Sequence, residues 1–298
     1  ESFNAQEISN SLLALDQMGL RWSNFDDGLR KKLLDSVSNN VEHFNAQDIA
    51  NSLLALDHMG LRWRNFYPDL QADLMNSLRR NVESFNAQNI ANSLLALDQM
   101  GLRWVNFPDD LKPKLMKSVR NNIESFNAQD ISNSLLALDH MGLRWSHFDT
   151  GLQAKLYDSV RSNVESFNAQ GISNSLLALD QMGLRWSNFD AGLQAKILDS
   201  ARRNVERFNA QEISNSLLAL DQMGLRWSNF DADLQAELLD SVRRNVESFN
   251  AQNISNSLLA LDQMGLRWSN FDDGLQAKFL DSVRRNVESF NAQSISNS

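Results

Sequence analysis

From Asn4 to Met18 the apolar residues Ile8, Leu12 and Leu15 recur at helical spacing and share one face. Leu13 lies off that face, so the helix has apolar neighbours on more than one side. Asn4 is a good N-cap. Phe3 and Ile8 occupy the two positions of a hydrophobic staple around it. Gly19 follows as the residue after the C-cap, with Leu20 placed for the apolar contact of a Schellman end. The pattern predicts a first helix over Ala5 to Met18. A second starts near residue 26 or 27, with Leu29, Leu33 and Val37 as its apolar stripe. Trp22 and Phe25 fill the turn between the two.

The whole pattern returns every 41 residues without insertion or deletion. The repeats are 1–41, 42–82, 83–123, 124–164, 165–205, 206–246 and 247–287, and 288–298 begins an eighth. A helical pair at this period predicts an all-α fold: an α-solenoid superhelix of helix-turn-helix repeats. The expected organisation is one array over 1–298 without separate domains. Pro68 and Pro108 fall in the expected first turn of the second helix, where proline is tolerated. Pro113 lies deeper and is expected to delay or kink its copy. Neither end carries an atypical polar repeat of the kind that caps solenoids. That suggests a piece of a longer array, or ends that associate with other copies.

Against this regularity one position changes freely. The fourth residue of the heptapeptide Asn-Ala-Gln-x-Ile-Ser/Ala-Asn is Glu7, Asp48, Asn89, Asp130, Gly171, Glu212, Asn253 and Ser294 in turn. On a helical wheel Glu7, Asn10, Ala14 and Gln17 form a stripe away from Ile8 and Leu12. Two readings stand. In one, the column is a capping position on a solvated surface. Glu and Asp complete a capping box there, Asn and Ser fit weakly, and Gly171 not at all. In the other, one small polar side chain per repeat reads one base of a single strand. The Asn10 column (Asn10, Asn51, Asn92, Asn133, Asn174, Asn215 and Asn256) is then either a ladder between repeats or a clamp on the ligand backbone. Arg79, Arg120, Arg161, Arg202, Arg243 and Arg284 close the second helices. They read either as a phosphate track beside helix N-termini or as complements of the helix dipole.

The stretch FNAQDIANSLLALDHMGLRW, residues 44–63, resembles the octotricopeptide repeats of organelle RNA-binding proteins. Ile49-Ala50-Asn51-Ser52-Leu53-Leu54-Ala55-Leu56 and Gly60 carry the likeness. It is also similar to the SKWP-type repeats of bacterial effectors. Leu54 stands where the octotricopeptide pattern has Trp, and Arg62-Trp63-Arg64 replaces its Pro-Pro-Glu-Trp element. The resemblance implies an RNA-binding solenoid and leaves open an effector-type array with another ligand; a base-reading column of one side chain per repeat would take about one nucleotide per repeat.

Composition sets limits on partners. The formal net charge is −9, unfavourable for a generic polyanion binder. There is no cysteine, which fits a reducing intracellular compartment, whether an organelle or a host cell receiving an effector. No signal peptide is recognisable, and no apolar run is long enough to span a membrane. His43, His58, His140 and His147 are scattered without metal-binding spacing, and no nucleophile or phosphate-loop motif occurs. The expectation is therefore a binding protein and not an enzyme, without cofactor or metal. Its expected partner is single-stranded RNA, with DNA second. The alternative is an extended or basic peptide held on a scaffold.

Overall fold

The computed structural model describes residues 3–289. Among them there are fourteen α-helices, each followed by a short 3-10 turn, and no strand. They group into two compact units, Glu1–Leu143 with His147–Ser159, and Arg144–Ser146 with Val160–Ser298. The first holds α1 (Ala5–Gln17), α2 (Asp27–Asn40), α3 (Ala46–His58), α4 (Pro68–Asn81), α5 (Ala87–Gln99), α6 (Leu111–Asn122) and α7 (Ala128–His140). Helix α8 (Thr150–Asn163) contains the boundary. The second unit holds α9 (Ala169–Gln181), α10 (Ala191–Asn204), α11 (Ala210–Gln222), α12 (Ala232–Asn245), α13 (Ala251–Gln263) and α14 (Asp273–Asn286).

Each unit is an α-solenoid segment. First helices stack on one another, α1 on α3, α3 on α5 and α5 on α7 in one unit, α9 on α11 and α11 on α13 in the other. Second helices do not stack in this way. Helices α4, α6, α10, α12 and α14 lean on the 3-10 turn that closes the second helix of the preceding repeat, as α6 does on Val82–Ser84. The helix ends follow the sequence closely. Asn4 caps α1, Gly19 takes φ +80°, and the Leu20 N–H donates to the Leu15 carbonyl at 3.1 Å. A side chain at that φ would be strained, so glycine is required. Pro68 opens α4, as expected for its fixed φ. Pro108 differs from expectation: it lies before α6, which starts only at Leu111. Pro113 has no N–H to give to the helix, and the delayed start places it inside the first turn, where that loss is harmless.

Ile49, Leu53 and Leu56 of α3 are fully buried, as are Leu70 and Leu74 of α4. Trp22 and Phe25 meet edge to face at 5.8 Å, and the same pair recurs at Trp63–Phe66 and Trp186–Phe189. The turn carrying the Trp also ties one repeat to the next. The Trp22 N–H donates to the Met59 carbonyl at 2.8 Å, Trp63 to Met100 at 3.0 Å, and Trp186 to Met223 at 2.9 Å.

Candidate nucleic-acid interface

The exposed line of a first helix is rotated one residue from the expected stripe. In α3 it runs through Gln47, Asn51, Leu54 and His58, of which Gln47 and His58 are exposed and the other two half-buried. Asp48 and Ala55, counterparts of Glu7 and Ala14, are buried. The cause is the stacking: a first helix with neighbours on both sides keeps only a narrow strip for solvent.

The variable column therefore sits at the seams. Asp48 is 5% exposed, Asn89 and Asp130 7%, and Asn253 6%. Gly171 is buried, Glu212 half-buried and Glu7 exposed. Ser294 lies outside the described residues. The side chains are held locally. The Asn45 N–H donates to Asp48 Oδ2 at 3.1 Å, Asn127 to Asp130 Oδ2 at 3.1 Å, and Asn209 to Glu212 Oε2 at 2.9 Å. Asn89 and Asn253 do the same through Oδ1 at 3.3 Å, so asparagine also completes the capping box. Gly171 keeps only the backbone half, its N–H donating to Asn168 Oδ1 at 2.7 Å. Contacts also cross the seam. Ser9 Oγ donates to the Asp48 carbonyl at 3.2 Å, Ser173 Oγ to the Glu212 carbonyl at 3.1 Å, and Asn253 Nδ2 to Ser214 Oγ at 2.9 Å. Burial pushes the Asp130 carboxyl above its ordinary range.

The Asn10 column does not form a ladder between repeats. The carboxamides of Asn51, Asn92, Asn133, Asn174 and Asn215 are half-buried and make no hydrogen bond among the described residues. Asn10 is exposed and Asn256 is buried. Beside them runs a second set of free amides that the sequence reading passed over: Gln47, Gln88 and Gln129 in one unit, Gln170, Gln211 and Gln252 in the other, all exposed. They precede the variable residue and never change, which is the signal that was available. Between α9 and α11 these groups line a polar cleft of about 220 Å³, walled by Gln170, Ser173, Asn174, Asn209, Gln211, Glu212 and Asn215.

The arginine column has partners of its own. Arg79 Nε meets Asp110 at 2.9 Å. Arg120, Arg161, Arg202 and Arg243 pair with Asp149, Asp190, Asp231 and Asp272, each on the second helix of the following repeat. Those four aspartates are also helix N-caps; Asp231 Oδ1 accepts the Leu234 N–H at 2.9 Å. Arg161, then the Leu193 N–H, hold the Asp190 carboxyl below its usual range. Arg284 pairs with Asp281 of its own helix at 2.7 Å. The neighbouring Arg80, Arg244 and Arg285 donate to carbonyls at the end of the preceding second helix. Apart from Arg284 these cations tie repeats together, and each faces an anion or a carbonyl.

At the other end of the first helices lies a buried acidic column. Asp57 is 4% and Asp221 5% exposed, with Arg62 and Arg226 at 3.5 and 3.7 Å. The Oδ2 atoms of both carboxylates are buried without a hydrogen-bond partner. Desolvation pushes each carboxyl up to about 6. Where the next repeat supplies histidine the carboxylate is paired: His58 Nδ1 meets Asp16 Oδ2 at 2.9 Å, and His140 Nδ1 meets Asp98 Oδ2 at 2.9 Å. Asp98 in turn raises the His140 pKa through that hydrogen bond.

Comparison with known proteins matches this repeat array to a family model described as RNA-editing substrate-binding complex 6 protein, over residues 1–228. A second model, described as a protein of unknown function (DUF1601), matches residues 223–258 and 264–298. No curated protein matches the chain. With the first model spanning well over half of it, the chain belongs to the RNA-editing substrate-binding complex 6 family.

Proposed function

We propose that this chain is a non-catalytic RNA-binding repeat array that meets single-stranded RNA on the exposed strip of its first helices. The observation that carries the reading is the pair of unsatisfied carboxamides per repeat, as in Gln47 with Asn51 and Gln88 with Asn92. Asn and Gln amides donate and accept at once and match base edges, as in their bidentate pair with adenine. The family is named for binding an RNA-editing substrate, which supports RNA over other ligands. Because the amide pair returns once per repeat, the natural unit is one nucleotide per repeat.

The variable column takes a smaller part in this reading than its variability suggests. Asp48, Asn89 and Asp130 face the seam and serve their own helix caps. Phosphate contacts by the Arg79 to Arg284 column require release of the aspartates that now hold most of those guanidiniums. Recognition thus rests on neutral amides, and its salt dependence is shallow.

The test is enrichment from a randomised single-stranded RNA pool, with a single-stranded DNA pool alongside, at about 50 and about 200 mM salt, the range over which phosphate contacts declare themselves. An enriched motif with little loss of affinity at the higher salt is expected. A steep loss returns the arginine column to the interface. No enrichment from either pool overturns the reading. Capture of basic peptides in its place would fit the net charge of −9 and make the array a peptide scaffold.

A further inference from the structure

The cleft between α9 and α11 differs from a generic stretch of the amide strip in one group. Gln170, Asn174, Gln211 and Asn215 bring four carboxamides without internal partners to its walls. Glu212 brings the only charge among the lining residues. Its counterparts Asp48, Asn89, Asp130 and Asn253 are more than nine-tenths buried, whereas Glu212 is half-buried and lines the opening. The extra methylene explains the difference. A glutamate reaches the Asn209 N–H with Oε2 at 2.9 Å while its longer chain stays partly in the cleft, where aspartate is drawn into the seam.

A carboxylate accepts hydrogen bonds and cannot donate them. No lysine or arginine lines this cleft, so it is unsuited to a phosphate. A planar, neutral group with donors on its edge suits it, supplied with further acceptors and donors by the four amides. Among bases, cytosine, adenine and guanine carry an exocyclic amine, and cytosine N4 is a recognised partner of Glu. Uracil has an oxygen where those bases carry the amine, and its one edge donor, N3–H, is flanked by O2 and O4, so that docking it sets an oxygen against the carboxylate.

Resting on the RNA-binding reading above, we infer that the α9/α11 cleft is a base-selective subsite in which Glu212 favours an amine-bearing base and rejects uracil. Glu212 is then a specificity residue, while its counterparts in α3, α5 and α7 are seam residues.

The experiment repeats the RNA selection with the full chain, Glu212→Gln and Asp48→Asn. Glutamine keeps an acceptor for the Asn209 N–H, so the cap survives. Expected is a wild-type motif with one nucleotide position that excludes uracil, a discrimination of about tenfold to a hundredfold for one good edge contact. In Glu212→Gln that position alone admits uracil; in Asp48→Asn the motif stays as in wild type. If Glu212→Gln lowers the melting temperature, Gln211→Ala serves instead: only the backbone N–H of this exposed wall residue enters the Asn209 cap, so removing its carboxamide spares the cap and weakens discrimination at the same nucleotide. An enriched motif unchanged by both Glu212→Gln and Gln211→Ala overturns this inference and leaves the RNA reading standing. Absence of any motif in the wild type overturns the RNA reading itself.

Discussion

The two ends of the first helices bury polar residues in opposite ways. At the N-terminal end, the column from Glu7 to Asn253 varies freely although most of it is buried. At the C-terminal end, the column through Asp16, Asp57, Asp98 and Asp221 never varies although burial penalises its charge. The difference lies in who supplies the partner. A residue in the third position of a helix finds its hydrogen bond in the N-cap of the same helix, as Asp48 does in Asn45. Any small residue that caps, or simply leaves room, is tolerated. The late aspartates oppose the dipole of their own helix and find little help there. They depend on the turn arginine and on the neighbouring repeat. Where that neighbour offers histidine the seam is closed, as at Asp98 and His140; where it offers Gln99 or Gln263 an oxygen is left over.

The sharpest break of this contrast removes a histidine. His140→Leu leaves Asp98 buried with only Arg103 at 3.7 Å. A loss of about 2–3 kcal/mol in urea unfolding at pH 6 is expected, the range for orphaning a buried charged acceptor. The folded pKa of His140 lies above its ordinary value, so this stabilisation is complete below pH 6.5 and declines as pH rises through the folded value. The gap between wild type and variant should therefore narrow towards pH 8.5. Equal stabilities at pH 6 would show the pair to be idle.

Of intermediate size is the reverse change at an open seam. Asp57 faces Arg62 and His58, with Asp16 and Asp98 as like charges across the seams. Its folded pKa of about 6 lies above the unfolded value, so the folded state holds the proton more tightly. The contribution of this group to stability is then highest below pH 4, falls as pH rises to about 6, and stays lower beyond. Asp57→Asn removes that loss. The variant should gain about 1–2 kcal/mol at pH 7.5 and nothing at pH 4, the upper limit for two pKa units being near 3. A destabilised variant at pH 7.5 would mean that Arg62 supports the carboxylate more than burial opposes it.

Most of the fold was legible because each repeat states it again: the N-cap, the glycine at positive φ and the apolar spacing recur and agree. The ties between repeats were legible too, though only in pairs. Repeat one has Ser38 where later repeats have arginine, and repeat two has Tyr67 where repeats four to seven have an N-cap aspartate; repeat three has Pro108 there and supplies Asp110 to Arg79. Cation and anion are missing together because each is the other's partner, and Tyr67 bonds to the Leu34 carbonyl instead. Reading the arginine column alone suggested a phosphate track. Reading it beside the aspartates 29 residues on shows a staple, as Arg161 and Asp190 do. The candidate site was less legible. A one-residue rotation of the helix exchanges Asp48 for Gln47 as the exposed side chain, and wheel geometry cannot fix that angle when both flanks are apolar. It depends on how closely neighbouring helices approach, which only packing decides.

The smallest effect belongs to the glycine that breaks the variable column. In an open helix Gly→Ala gains up to about 1 kcal/mol. At Gly171 an added Cβ would lie 3.2 Å from Asn168 Oδ1, the atom that caps the helix, and 3.4 Å from the Phe167 ring. The cap or the ring must yield by a few tenths of an ångström, and that strain offsets the gain in propensity. Gly171→Ala should therefore change stability by less than about 0.5 kcal/mol in either direction. A full gain near 1 kcal/mol would mean the seam has room and the glycine is drift. A loss beyond 1 kcal/mol would mean the backbone there approaches its surroundings so closely that no side chain is admitted, and the freedom of this column would then be narrower than its sequence suggests.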